Sequence, residues 1–522
     1  MGLIYLLVGV LVCDGKKHGE DLAAFVRQYK AGSAAAGAAA KRPLDADALV
    51  AAAEAHRARI RAHYGLGDGE AEMLDSTIFG VGDGGVDGLR RALLRGVARG
   101  EVRIAQMGIS ITAGHDIFHN ESFSHVFGRH FGAVLATAGI GTRLRNHAVG
   151  GFGTMPSHVC GPAMVGADND VVAWDFMMMA DRGSCAVEHL QRALALAAPS
   201  VVEAPALLWW QGGVWLPTEK PENYKDPKRP GSNQKQTCNG AWVAKHYAPI
   251  GAHVGDFGAT LQRLREKGLP LLQEGTDPLY MDPRKGADPA PGMDEPDLPM
   301  RRRLARHHPG APLHRLWGLV WAHAYLGQLI SALKPAPPGF VPPARSGLPK
   351  RAGCEADLCE DVAPTCLTSM LPRAAGSELE LKISQKGSKT WMLRDDAKRR
   401  STNERYGYLD DKVLLSGTKA DGELLLTIDV ATAGRPIVAC EAPCPWGKCP
   451  AGRLPLRANS AWTLDGAKLD VTAEAPKSLK IFDVKNTCFL VAPALDTAGT
   501  HTLGITITAP GGYAGLTHLL FY

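Results

Sequence analysis

No stripe of one charge runs along this chain. Its 58 Lys and Arg stand against 53 Asp and Glu over 522 residues, a formal charge of +5. The basic residues are scattered, which excludes a nucleic-acid footprint, and the Arg301-Arg302-Arg303 cluster reads as a solvated loop. Paired CxxC motifs with a nearby His are also missing, so the usual zinc spacing is not present. The opening apolar run, Met1 to Cys13, is too short to span a bilayer. It lacks the positive flank and clean cleavage site of a secretory signal but resembles the apolar core of one, the alternative being a buried first strand.

What is there describes a folded soluble protein of two or three domains, with 45% hydrophobic and 21% charged residues. The 11 cysteines are Cys13, Cys160, Cys185, Cys238, Cys354, Cys359, Cys366, Cys440, Cys444, Cys449 and Cys488. Removing Cys13 with a signal leaves an even number, several of them in loop-like sequence, as disulfides in an oxidising compartment would be. Cys440, Cys444 and Cys449 could alternatively hold zinc. The sequon Asn120-Glu121-Ser122 fits a secreted glycoprotein.

Along the chain, 14–100 is rich in Ala, Arg and Gly, with helical periodicity over Leu49 to Ile60 and Leu89 to Val97. It reads as a helical lead-in to the next domain. From 101 to 335, strands (102–107, 142–148, 170–175, 205–211) alternate with helices (118–136, 185–197, 257–267, 313–333), a pattern that predicts a parallel sheet covered on both faces. A Pro- and Cys-rich stretch, 336–375, reads as a linker. From 376 to 522, short strands (379–383, 423–430, 478–484, 500–508, 516–522) between turn signals predict a β-sandwich.

Chemistry concentrates in Arg103 to Asp116. A strand ends at Gly108, and Ser110 stands just past it with Thr112 and Gly114 beyond. A serine at such a strand-to-helix turn projects from the carboxyl edge of the sheet, a seat for a nucleophile, although Ser and Thr also serve there as helix caps. The other strand ends add Arg145-Asn146, Gly150-Gly151, Trp174-Asp175 and, before the last long helix, His307-His308-Pro309. A glycine at that edge lets backbone approach a reacting atom and offers an amide to an oxyanion. His115 and His119, with Asp116 between them, would share a helical face, but no third ligand stands at sensible spacing, so no metal is expected.

In that order the chain resembles the SGNH/GDSL hydrolases. Gly108-x-Ser110-x-Thr112-x-Gly114 is similar to the family's first block with Ile109 in place of the usual Asp. Asn146 to Gly151 resembles the second block, and His308-Pro309 the fifth. The algal and fungal branch with Ser-x-Thr-Ala-Gly-His-Asp, Arg-Asn, a Trp-acidic pair and a C-terminal β-domain is the nearest in pattern. The resemblance implies a three-layer α/β/α (flavodoxin-like) SGNH-like domain followed by a β-sandwich. Its implied activity is ester hydrolysis with no cofactor, by a secreted or cell-surface protein acting on an acylated carbohydrate or small ester. Ser110 would be the nucleophile and His308 (or His307) the base. Amides of Ser110 and Gly151, with Gly150 and Asn146 beside them, would form the oxyanion hole. Trp174, Asp175 and Trp210 would line the substrate cleft.

Two departures stand out. Met177 occupies the region where the family places an oxyanion Asn, and Asn169 does not align with it. Ala305 lies where Asp-x-x-His puts the orienting carboxylate, leaving Asp297, Asp294 or Asp175 to supply one. These departures keep two other readings open: an inactive SGNH-fold protein that binds or builds outside the cell, and a carbohydrate O-acyltransferase.

Overall fold

The computed structural model describes residues 45–81, 85–114, 121–150, 160–166, 168–175, 206–209, 252–268, 311–336, 365–370, 374–384, 391–395, 413–441, 451–471 and 488–521. The apolar opening run with Cys13, and the segments expected to form the 185–197 helix and the 478–484 strand, lie outside them.

The first described helix, α1 (Ala46–His63), starts where the Asp45 carboxylate accepts the Ala48 amide (2.9 Å) and buries Leu49, Ala53 and Ile60 on one face. A short α2 (Ala71–Asp75) and strand β1 (Ile78–Val81) follow, then α3 (Gly85–Arg99) and β2 (Glu101–Gly108). After the turn α4 (Ser110–Ala113) come α5 (Phe123–Thr137), β3 (Gly141–Asn146), α6 (Gly161–Val165), β4 (Val171–Asp175) and β5 (Ala206–Trp209). The domain closes with β6 (Ala252–Asp256), α7 (Phe257–Glu266) and α8 (Ala311–Leu333).

Six strands form one sheet in the order β1-β6-β5-β4-β2-β3. All neighbours from β3 to β6 are parallel, and β1 joins β6 antiparallel. Counting the parallel strands alone gives 2-1-3-4-5, the flavodoxin order. The sequence pattern located β2 to β5 to within a few residues. It missed β1 and β6, and through β1 the helical lead-in shares this sheet.

One face of the sheet presents Val102, Ile104, Leu144, Val171 and Ala173 to α1, α3, α5 and α8 in a single core. Aromatic rings knit α5 to α8: Phe127 stacks on Trp321 with centroids 3.9 Å apart, and Tyr325 packs edge-on to both. α8 is long and apolar enough to cross a membrane, but here it is the buried centre of that core. On the opposite face α6 lies against β2 and against Thr365–Thr368 of the second domain.

The second domain begins earlier than the pattern predicted. β7 (Thr365–Thr368), within the expected linker, pairs with β17 (His518–Phe521) near the chain's end. The intervening strands are β8 (Met392–Asp395), β9 (Val413–Thr418), β10 (Glu423–Val430), β11 (Ile437–Cys440), β12 (Ser460–Leu464), β13 (Ala467–Leu469), β14 (Cys488–Ala492), β15 (Gly499–Ile507) and β16 (Tyr513–Leu516). They form antiparallel sheets, β10-β15-β12-β13, β14-β11-β17-β7 and β16-β9-β8, around a common core. β10 shows why: Leu424, Leu426, Ile428 and Val430 point inward at every second residue.

The expected strand at 379–383 is instead a 3-10 turn, Leu379–Lys382. Its tighter period buries Leu379 and leaves Leu381 69% exposed, whereas a strand would put both on one face. Two disulfides are present among the described residues, Cys160–Cys366 and Cys440–Cys488. The second joins register partners on β11 and β14 and removes Cys440 from the zinc alternative.

Candidate functional site

At the carboxyl edge of the sheet the chain leaves β2 for β3 on one side and then crosses to β4 on the other. That reversal opens a crevice between β2 and β4, where α/β proteins bind ligands. Ser110 follows β2, and Asp175, the register partner of Gly108, ends β4.

The Gly-x-Ser-x-Thr motif has a steric basis. Thr112 folds back over Gly108, and a Cβ on residue 108 would lie 2.7 Å from Thr112 Cβ, so only glycine admits the fold. Gly114 ends the turn at φ 78°, in the left-handed region. Thus both flanking glycines hold Ser110, half-buried, as the first residue of α4.

Beneath that turn lies a buried polar network. Thr112 Oγ1 donates to the Asp175 carboxylate, and both residues are closed to solvent. Asn146 Nδ2 donates to the Thr112 carbonyl (2.5 Å) and to Ser124 Oγ (3.1 Å), while its Oδ1 accepts the Ala148 amide (3.0 Å). One side chain therefore ties α4, the start of α5 and the segment after β3 together. That segment is also pinned to the strand: His147 N donates to Gln106 O (2.7 Å) and Val149 N to Gly108 O (3.0 Å). Gly150 follows directly and so stands beside the strand end that leads into Ser110.

Of the residues expected at the site, Ser110, Asn146, Gly150 and Asp175 come to this one edge. Trp174 and Asp175, the expected substrate contacts, are 0% and 1% exposed. Asp175 faces Thr112. His308, His307, Asp297, Asp294, Gly151, Trp210, Met177, Ala305, His115, Asp116 and His119 lie outside the described residues. Asn169 sits at the other end of β4, donating to the carbonyls of Val165 and Gly166 (2.9 Å each).

Sequence reasoning gave no role to Thr112 beyond capping, nor any to Ser124 or His314. His314, buried in the first turn of α8, stacks on Phe123 and accepts the Phe123 amide at Nδ1 (3.2 Å), which puts the ring proton on Nε2. The glycine at 108, required by a threonine four residues on, was the available signal for Thr112.

No family model and no curated protein matches the sequence. Among solved structures the chain is similar to a two-domain esterase (CEX) active on acetylated mannans, at 12% identity and a TM-score of 0.37, over 81% of this chain and 92% of that one. It is similar also to that esterase co-crystallized with mannopentaose, at 13% identity and a TM-score of 0.35, over the same shares.

Proposed function

We propose that the chain is a serine esterase of the SGNH type, removing acyl groups carried by carbohydrate. The observation that carries this reading is the placing of Ser110 at the sheet's switch point, on a turn built by Gly108, Thr112, Asp175 and Asn146, with Gly150 alongside.

In this mechanism His308 takes the hydroxyl proton as Ser110 Oγ attacks the ester carbonyl. The amides of Ser110 and of Gly150 or Gly151 hold the tetrahedral oxyanion. His308 then returns the proton to the leaving sugar oxygen, and the acyl-serine forms. Water, deprotonated by His308, releases the acid and restores the serine. Because Thr112 engages Asp175, the orienting carboxylate falls to Asp297, with Asp294 of the same stretch the alternative, and Asp175 acts on the geometry of the serine turn. The two disulfides suit an oxidising compartment such as the cell exterior.

The test is hydrolysis of p-nitrophenyl acetate and acetate release from an acetylated polysaccharide, with Ser110→Ala alongside the native chain. Loss of the serine is expected to cut turnover by at least about 10³-fold, as removal of a nucleophile does elsewhere. Equal rates in the two proteins would overturn the reading.

A further inference from the structure

Among the described residues, the β-domain reaches the proposed active site through its first segment. β7 leads into Ser369 and Met370, and this turn is fixed from several sides. Ser369 Oγ donates to Val413 O (2.8 Å) and Leu516 O (3.1 Å), Ser369 N to Thr517 O (2.9 Å) and Met370 N to Thr368 Oγ1 (3.0 Å). Three strands of the β-domain thereby hold one methionine.

Met370 is 0% exposed, and it forms a buried pair with Val149 of the α/β domain, apart from both large cores. Val149 is the residue whose amide bonds Gly108 O, and it immediately precedes Gly150. The β-domain grips α6 as well. Cys160 is bonded to Cys366 of β7, and Ala163 O accepts both the Ala374 amide (2.7 Å) and the Ser377 hydroxyl (2.8 Å). Val149 therefore has Gly108 on one side and Met370 of the β-domain on the other. A glycine-bearing turn is otherwise the least constrained kind of backbone, and an oxyanion donor works only if it is held in place before the charge develops.

We propose that the β-domain is a brace for the oxyanion side of the active site: Met370 and the Cys160–Cys366 bond are positioning groups that fix Val149 and Gly150 relative to Ser110. This rests on the esterase reading for its catalytic meaning. It assigns the second domain a part in turnover on substrates too small to reach it.

The experiment uses the full chain, with three variants compared to the native protein: Met370→Ala, Met370→Leu and the double change Cys160→Ser with Cys366→Ser. Leu503→Ala, deep in the β-domain core, controls for general loss of stability. Steady-state kinetics on p-nitrophenyl acetate are read together with amide exchange over residues 147–150. Met370→Ala and the double serine variant are expected to lose about tenfold or more in kcat, since small displacements of a catalytic group cost that much. KM should stay within about twofold, Met370→Leu should restore kcat, and exchange at Val149 and Gly150 should quicken only where the brace is cut.

The proposal is overturned if kcat and exchange are unchanged in both brace variants, or if Leu503→Ala does as much to either. Should Ser110→Ala show no loss, the esterase reading fails by itself. The brace is then judged on exchange alone: faster in Met370→Ala than in Leu503→Ala upholds it, and equal rates overturn it. Should Met370→Ala not fold, the double serine variant gives the same comparison.

Discussion

The two domains solve the burial problem differently. The α/β domain buries chemistry along with its apolar groups: Gln106, Thr112, Ser124, Asn169, Asp170, Asp175, His253 and His314 are all closed to solvent around the sheet. Its core is aromatic, built by α5 and α8 across Phe123, Phe127, Trp317, Trp321 and Tyr325. The β-domain is held by aliphatic rows on antiparallel strands, with Trp462 and Phe489 edge to face at 5.7 Å. Burying polar groups is costly unless each is bonded, and at the carboxyl edge of the sheet Thr112, Ser124 and Asp175 are buried together in one bonded network under Ser110. The β-domain gathers its buried polar groups elsewhere, Thr368, Ser369, Thr517 and His518 lying around the β7–β17 pair, where they hold the turn that carries Met370.

Breaking the cores one at a time gives the largest contrast. Trp321→Ala and Trp462→Ala should each cost about 3–5 kcal/mol, the usual price of emptying a large aromatic site. Because the two cores are separate clusters, calorimetry should resolve two transitions, with Trp321→Ala lowering one and Trp462→Ala the other. A single transition lowered equally by both would show that the domains fold as one and would erase the distinction.

A smaller effect sharpens it. Thr112→Val keeps the shape of the side chain but withdraws the hydroxyl from the buried Asp175 carboxylate. The expected cost is about 1–3 kcal/mol, confined to the transition of the α/β domain. Turnover on p-nitrophenyl acetate should fall with it, because the turn bearing Ser110 loses its anchor, while Thr112→Ser should restore both. If the valine variant is as stable and as active as the native chain, the network under Ser110 is not what positions it.

How much of this could be read from residues alone varied with distance along the chain. β2, β4 and β5 announced themselves as short runs with apolar residues, β3 less so with Leu144 its one large apolar residue, and Ser110 by its place after Gly108. β1 is only four residues long, in an Ala- and Gly-rich stretch, and β6 follows a long run of Pro, Gly and charged residues, so neither carries a strong local pattern. β7 was hidden among prolines and cysteines. The Thr112–Asp175 bond joins residues 63 apart and exists only because β2 and β4 are neighbours in space. Local pattern supplies elements; which polar side chains meet is decided by strand order.

The finest contrast is in acid. Burial holds the His253 imidazole down at about 3, and it lowers His56, His125 and His323 as well, with His130 brought to about 4. All five belong to the α/β domain. An imidazole depressed in the folded chain takes up its proton first when unfolded. Its stabilising contribution is therefore complete above the ordinary value of 6.5 and shrinks as pH falls toward the folded one. At about pH 5.5 the fully buried His253 alone should cost about 1 kcal/mol. In the β-domain His518 is lowered to about 3 by burial and costs about the same, but His501 runs the other way. The hydrogen bond that His501 Nδ1 donates to the Asp465 carboxylate (2.7 Å) raises His501, so its contribution is fully present below 6.5 and is lost as pH rises through the folded value. On acidification from about pH 7.5 to about pH 5.5, the α/β transition should therefore fall faster than the β-domain transition. His501→Gln should steepen only the latter, and His253→Gln should flatten only the former. Equal slopes in the native chain, unmoved by either change, would mean that the two interiors do not differ in how they hold their histidines.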